Sequence, residues 1–175
     1  MKKWLLLCLL VFLVGCAEQN PTNVKVDMHN ADGDAIGTVK ISEQADGVEL
    51  DIEVSGLPPG DHAIHFHSIG LCDAPDFISA GDHLNPDETE HGLMNANGAH
   101  LGDLPNITVD ESGAFSGTMK SNATLKEGKD SLVTRDGTSL VIHASADDGM
   151  SQPAGDSGQR IACGVVSKDK QVVVK

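Results

Sequence analysis

A chain of 175 residues has room for one domain with a proper core. Its formal charge of -14 and pI near 4.7 speak against a nucleic-acid surface. Aromatic residues are scarce (four Phe, one Trp, no Tyr), so a core has to be built from Val, Ile, Leu and Ala.

Met1-Lys2-Lys3 is a short basic start, and Trp4 to Val14 is an apolar run too short to span a bilayer, which reads as a secretory signal. The run ends in Leu13-Val14-Gly15-Cys16, the pattern of a bacterial lipobox. Residues 1–15 are then a cleaved signal peptide. Cys16 becomes a lipoprotein terminus carrying diacyl and palmitate chains, a stable anchor because more than one chain is buried. The alternative is a plain signal with an incidental cysteine. Residues 16–23 read as a tether and 24–175 as the folded domain, held in a bacterial cell envelope and touching membrane only through that lipid. With Cys8 in the signal and Cys16 at the lipid site, Cys72 and Cys163 remain as an isolated pair in an exported chain, which points to one disulfide bond. Soft metal ligation is the alternative for this pair.

From Val24 onward the pattern is all-β. VKVDMHN, AIGTVKISEQ and VELDIEVS alternate apolar and polar residues with period two, separated by Asp32-Gly33 and Asp46-Gly47 turns. Leu57-Pro58-Pro59-Gly60 turns into a strand reading HAIHFH. His65 and His67 share one face of that strand, and His62 has the opposite parity. A long loop rich in Gly, Pro, Asn and Asp then carries His83, His91, His100 and Asp103. NITVD and AFSGTMK follow as strands. A Lys-, Asp- and Gly-rich connection leads to SLVIHA, which ends in His143. A second irregular loop, residues 145–159, precedes RIACGVV. Eight strands with two long functional loops suggest a Greek-key β-barrel or sandwich carrying its site on the loops.

Of the chain's eight histidines, only His29 and His143 lie outside residues 60–103. Neutral imidazole is the commonest protein metal ligand, so this crowding points to metal binding. Spacing alone leaves open whether there are one or two sites and how the ligands divide between them.

The blocks HAIHFH, AGDHLNP, HG followed by HLGDLPN, VIHASADD and GQRIACGVV, in this order, resemble the copper-zinc superoxide dismutases over residues 24–166. The resemblance implies an immunoglobulin-like eight-stranded sandwich and an oxidoreductase with one copper ion and one zinc ion per subunit. It makes His65, His67, His83 and His143 the copper ligands, a nitrogen set that suits Cu(II). It makes His83, His91, His100 and Asp103 the zinc ligands, with His83 bridging the metals and acting in catalysis. By the same resemblance Asp147 accepts hydrogen bonds from His65 and His91, Arg160 orients a small anion beside the copper, and Cys72 pairs with Cys163. Read from the residues alone, Asp147-Asp148-Gly149 is simply a turn and Arg160 a surface side chain.

The implied reaction is disproportionation of superoxide to dioxygen and hydrogen peroxide, an antioxidant protection of the envelope. A surface copper or zinc carrier, or an inactive dismutase-like relative, is the competing reading. The long form of CDAPDFISAGDH argues against carrying over the eukaryotic dimer, so monomer and homodimer both stand. The second loop lacks lysine, leaving Lys120, Lys126 and Lys129 as candidate steering charges. His29 is expected as a solvated strand residue and His62 as a structural histidine with satisfied hydrogen bonds.

Overall fold

The computed structural model describes residues 20–168. The proposed signal, Cys16 and the last residues of the chain lie outside that range. Nine β-segments and one short 3-10 turn follow in order: β1 Asn23–Asn30, β2 Ala35–Gln44, β3 Gly47–Ser55, β4 Gly60–His62, β5 Ile64–His67, the turn Ile78–Ala80, β6 Ile107–Val109, β7 Ala114–Ser121, β8 Thr138–His143 and β9 Arg160–Val166. The expected eight strands are present, with the fourth divided into β4 and β5. The division falls at Ala63, whose backbone pairs outside the strand: its N–H donates to Ser145 O and its carbonyl accepts from His143 N–H, both at 2.9 Å.

Seven strands form one antiparallel sheet in the order β5-β8-β9-β1-β2-β3-β7, and β4 pairs with β6 in a two-stranded ribbon. The chain crosses from β3 to β5 at the far edge, returns to β7 beside β3, and crosses again to β8. This over-and-back path is that of a Greek key. Alternation sets the register in the meander. Val48, Leu50, Ile52 and Val54 of β3 point inward beside Val39 and Ile41 of β2, and the residues between them are mostly solvated. Val26, Met28, Phe66, Leu140, Ile142 and Ile107 complete one apolar cluster drawn from both sheets.

At the other edge the alternation disappears. Every residue of β5 and of β8 is buried. Long loops cover the outer face there, and a second small cluster of Phe77, Ala80, Val141 and Cys163 packs between loop and sheet, with Cys72 against it. The Cys72–Cys163 disulfide ties that loop to β9 across 91 residues of sequence. His29, expected in solvent, is instead half-buried at the end of β1, in register with Cys163 of β9.

Candidate metal centre

β5 pairs with β8 so that His65 lies opposite Val141 and His67 opposite Ser139. Period two sends both rings to the loop-covered face. His143 ends β8 at a register shift against β9, where it is paired with Arg160. The long loop returns to this face, and an isolated bridge sets His83 beside His67. Side chains far apart in the chain thereby converge.

Two donor sets result. His65, His67, His83 and His143 form one, and His83, His91, His100 and Asp103 the other, each with its donor atoms within 4.8 Å of one another. In the second set Asp103 Oδ1 lies 2.9 Å from His83 Nδ1, 3.1 Å from His91 Nδ1 and 3.3 Å from His100 Nδ1. Three imidazole nitrogens around one carboxylate oxygen make a coordination shell rather than a hydrogen-bond pattern. Tetrahedral bonds of about 2.0 Å to zinc put ligand atoms roughly 3.3 Å apart, close to these separations. The other carboxylate oxygen is fixed by the N–H groups of Gly92 and His100, each at 2.9 Å.

In the first set, His65 Nδ1 and His83 Nε2 are buried with no hydrogen-bond partner. Such orphaned atoms are rare in a native fold and are accounted for by a metal ion. His67 Nε2 and His143 Nε2 face each other at 3.4 Å. The opposite nitrogens are engaged: His65 Nε2 donates to Asp147 Oδ2 (2.8 Å), His67 Nδ1 to Gly81 O (2.8 Å) and His143 Nδ1 to Gly158 O (3.3 Å). These outer partners select the tautomer that leaves the inner nitrogen free for a metal. His83 offers Nδ1 to one set and Nε2 to the other, so the residues present fit two adjoining metal ions sharing one ring.

Burial keeps the rings of His65, His67 and His143 neutral. It pushes the His65 imidazole down to about 4, His143 to about 3 and His67 to about 2. His100 is lowered for the same reason. For Asp103 burial works in the raising direction, yet hydrogen bonds from His83 and the Gly92 N–H bring the carboxyl down to about 2. Asp147 is likewise held well below the usual carboxylate range, against its burial, by bonds from His65 and His91. It accepts from His91 Nε2 at 3.0 Å as well as from His65, so one carboxylate braces both donor sets.

The rings open onto a pocket of about 550 Å³ lined by His67, His83, His143, Asp82, Ser157 and Arg160, among others. Arg160 donates from Nη1 to Phe77 O and from Nη2 to Gly81 O, both at 2.6 Å, which fixes the guanidinium at the wall.

The family model for copper/zinc superoxide dismutase (SODC) matches residues 35–166. The chain belongs to the copper/zinc superoxide dismutase family. Superoxide dismutase [Cu-Zn] 1 of Aquifex aeolicus (strain VF5) is 43% identical over 168 residues, covering 94% of this chain and 98% of its own length. The Cu/Zn superoxide dismutase from Brucella abortus superposes with a TM-score of 0.69 at 30% identity, over 83% of this chain and 99% of that one. A SOD-like protein from Bacillus subtilis gives 0.79 at 37% identity, over 81% and 97%. Copper and zinc are the metals of this family, and the two donor sets fit both.

In this member of the family every candidate ligand named from the sequence lies in one or other set. His62 stands apart, because both ring nitrogens lie 2.7 Å from backbone carbonyls, those of His143 and Pro58. The candidate steering lysines are not part of the pocket wall. Lys126 pairs with Glu43 at 2.9 Å, Lys129 pairs with Asp87, and Lys120 lies opposite Glu49 across β3 and β7. The pocket's charged lining other than histidine is Arg160, Asp82 and Asp156.

Sequence reasoning also missed three supports. Gln152 accepts from the His91 N–H (2.9 Å) and donates to the His91 carbonyl (3.0 Å), clamping that residue's backbone. Asn106 does the same for Asp147, with both bonds at 2.9 Å. Gly155 has φ +64°, and a Cβ there would lie 1.9 Å from Asp147 Oδ1, so only glycine lets the second loop rest on that carboxylate.

Proposed function

We propose that the protein is a copper-zinc superoxide dismutase that converts two superoxide anions and two protons to dioxygen and hydrogen peroxide. The observation that carries this reading is the shared ring. His83 presents one nitrogen to each donor set, and its Nε2 is buried without any other partner. His65, His67, His83 and His143 are the copper ligands in this reading, and His83, His91, His100 and Asp103 the zinc ligands. When bound, copper supplies one-electron redox chemistry and zinc a fixed positive charge. Arg160 attracts and orients the anion at the pocket wall. His83 Nε2 is the atom placed to hold a proton and release it towards the pocket. Asp147 keeps the His65 and His91 rings in the tautomers the metals need. Superoxide dismutases as a class work near the diffusional ceiling of roughly 10⁸–10⁹ M⁻¹s⁻¹, so anion access weighs as much as chemistry.

The test is catalytic superoxide consumption by the purified protein, with copper and zinc content measured in parallel. Activity is expected to vanish in His143→Ala and to fall in Arg160→Ala. A fully loaded protein without activity would leave the metal-carrier reading in its place. A carrier has no use for a clamped guanidinium beside its ligands, and Arg160 therefore favours the enzyme.

The same reading puts the enzyme outside the cytoplasm, lipid-anchored at Cys16 and protecting a bacterial envelope. The Leu13-Val14-Gly15-Cys16 pattern supports this. Mass spectrometry of the mature amino terminus tests it, and an unmodified terminus at any residue other than Cys16 would refute the anchor.

A further inference from the structure

The pocket wall contains a buried hydroxyl that none of the roles above uses. Ser157 is 2% exposed. Its backbone is pinned on both sides: its N–H donates to Ala154 O at 3.2 Å, and its carbonyl accepts from Ser145 N–H at 2.9 Å. Its Oγ lies 3.2 Å from His143 Nδ1, the nitrogen that is also 3.3 Å from Gly158 O. A carbonyl can only accept, so Nδ1 carries the proton and shares it between that carbonyl and Ser157 Oγ. The serine oxygen is therefore an acceptor towards His143, and its own hydrogen is left to donate elsewhere. No other group among the described residues forms a hydrogen bond with this hydroxyl. Ser157 lines the same pocket as Arg160, His67 and His83.

We propose that Ser157 is a catalytic contact, donating its O–H to the small anion held in the pocket beside the Arg160 guanidinium. His143 stands behind it as donor, so the hydroxyl is polarised in the direction that strengthens its own donation. Ser157 and Arg160 then form a two-point anion site in which the arginine supplies charge and the serine direction. The ligand class is a small oxygen- or nitrogen-terminated monoanion, superoxide in the reaction and azide as a stable probe. This inference rests on the dismutase reading, and the experiment separates the two.

The copper- and zinc-loaded protein is titrated with azide, following the charge-transfer absorption, for wild type, Ser157→Ala and Ser157→Thr. The resting Cu(II) electron paramagnetic resonance spectrum is recorded for each. Loss of one hydrogen bond to an anion is expected to weaken azide binding by roughly 3- to 10-fold in Ser157→Ala. Ser157→Thr keeps the hydroxyl and should restore affinity to within about 2-fold, with the resting spectrum alike in all three. Ser157→Cys, similar in size with only a weak donor, repeats the test should the alanine variant take up less copper. Equal azide affinity in wild type and Ser157→Ala overturns the proposal. So does a weakened affinity accompanied by an altered resting spectrum, because the serine would then act only through the His143 ring. A wild-type protein that holds both metals and binds azide but consumes no superoxide defeats the dismutase reading, while the azide comparison still decides the role of Ser157.

Discussion

The meander β1-β2-β3-β7 and the edge β5-β8-β9 are built by different rules within one sheet. In the meander, one face packs on the core and the other meets water, so β3 reads as strict alternation and its inward residues are all aliphatic. At the opposite edge, loops cover the outer face and both sides of β5 and β8 are dry. The inner face there carries Phe66, Leu140 and Ile142, while the outer face carries His65 and His67. The comparison teaches that the fold's stability and its chemistry are separated by face and by edge. Most polar side chains on the dry side are paired or face a donor set, as the cost of burying a polar group requires, whereas Ser139 Oγ is buried there without a partner.

Four experiments break or sharpen that contrast. Leu50→Ala in the meander empties a fully buried position and should cost about 2–5 kcal/mol in denaturant unfolding, with activity per folded, metal-loaded molecule unchanged. A comparable loss of specific activity would mean that the two regions are not separate. Asp147→Asn at the other edge should do the reverse, lowering metal affinity by roughly 10- to 100-fold, since it removes the carboxylate that braces His65 and His91. Competition with a chelator measures this.

The third experiment is a pH series on metal-free protein. His65, His143 and His67 take up protons near 6.5 in the unfolded chain, but only at about 4, 3 and 2 when folded. Between those limits the unfolded state binds more protons, so stability should fall as pH is lowered from about 6.5 towards 4. Asp103 acts in the same direction further down. Its contribution is complete above the unfolded carboxylate value near 3.9 and is lost as pH falls towards about 2. Denaturant midpoints that stay flat below about pH 6 would contradict this account. In the metal-loaded protein the slope should be shifted to lower pH, because bound metal holds the rings deprotonated.

The smallest effect concerns pocket charge. Asp82 lines the pocket with Arg160, and its field, like that of Asp76, favours the charged guanidinium while opposing an arriving anion. Asp82→Asn should raise kcat/KM for superoxide about 2-fold at low ionic strength and make its dependence on added salt more negative. A lower rate in this variant would assign Asp82 to holding Arg160 in place instead.

The strands and the ligands could be read from the chain because both repeat locally. Alternation identifies β1 to β3, and the two-residue spacing of His65 and His67 already places both rings on one face. The division at Ala63 could not be read, because it depends on pairing with Ser145 and His143 from the other edge. The Gln152 and Asn106 clamps join residues 61 and 41 positions apart through loop paths that no periodicity encodes. Gly155 and Ser157 looked like ordinary loop residues, and their importance appears only once the second loop lies across Asp147 and His143. Even the division of seven side chains into two sets needed either a family likeness or the fold, since nothing in the spacing marks His83 as shared.

The crosslink between Cys72 and Cys163 has a consequence for where such a catalyst can operate. The segment it holds down contributes the Phe77 and Gly81 carbonyls that grip Arg160, while Arg160 itself begins the strand at the other end of the link. Opening the bond should loosen that grip even while every metal-binding side chain is still present. The anion guide then depends on the closed bond, and the chain with both thiols reduced should be a poorer catalyst than the oxidised chain.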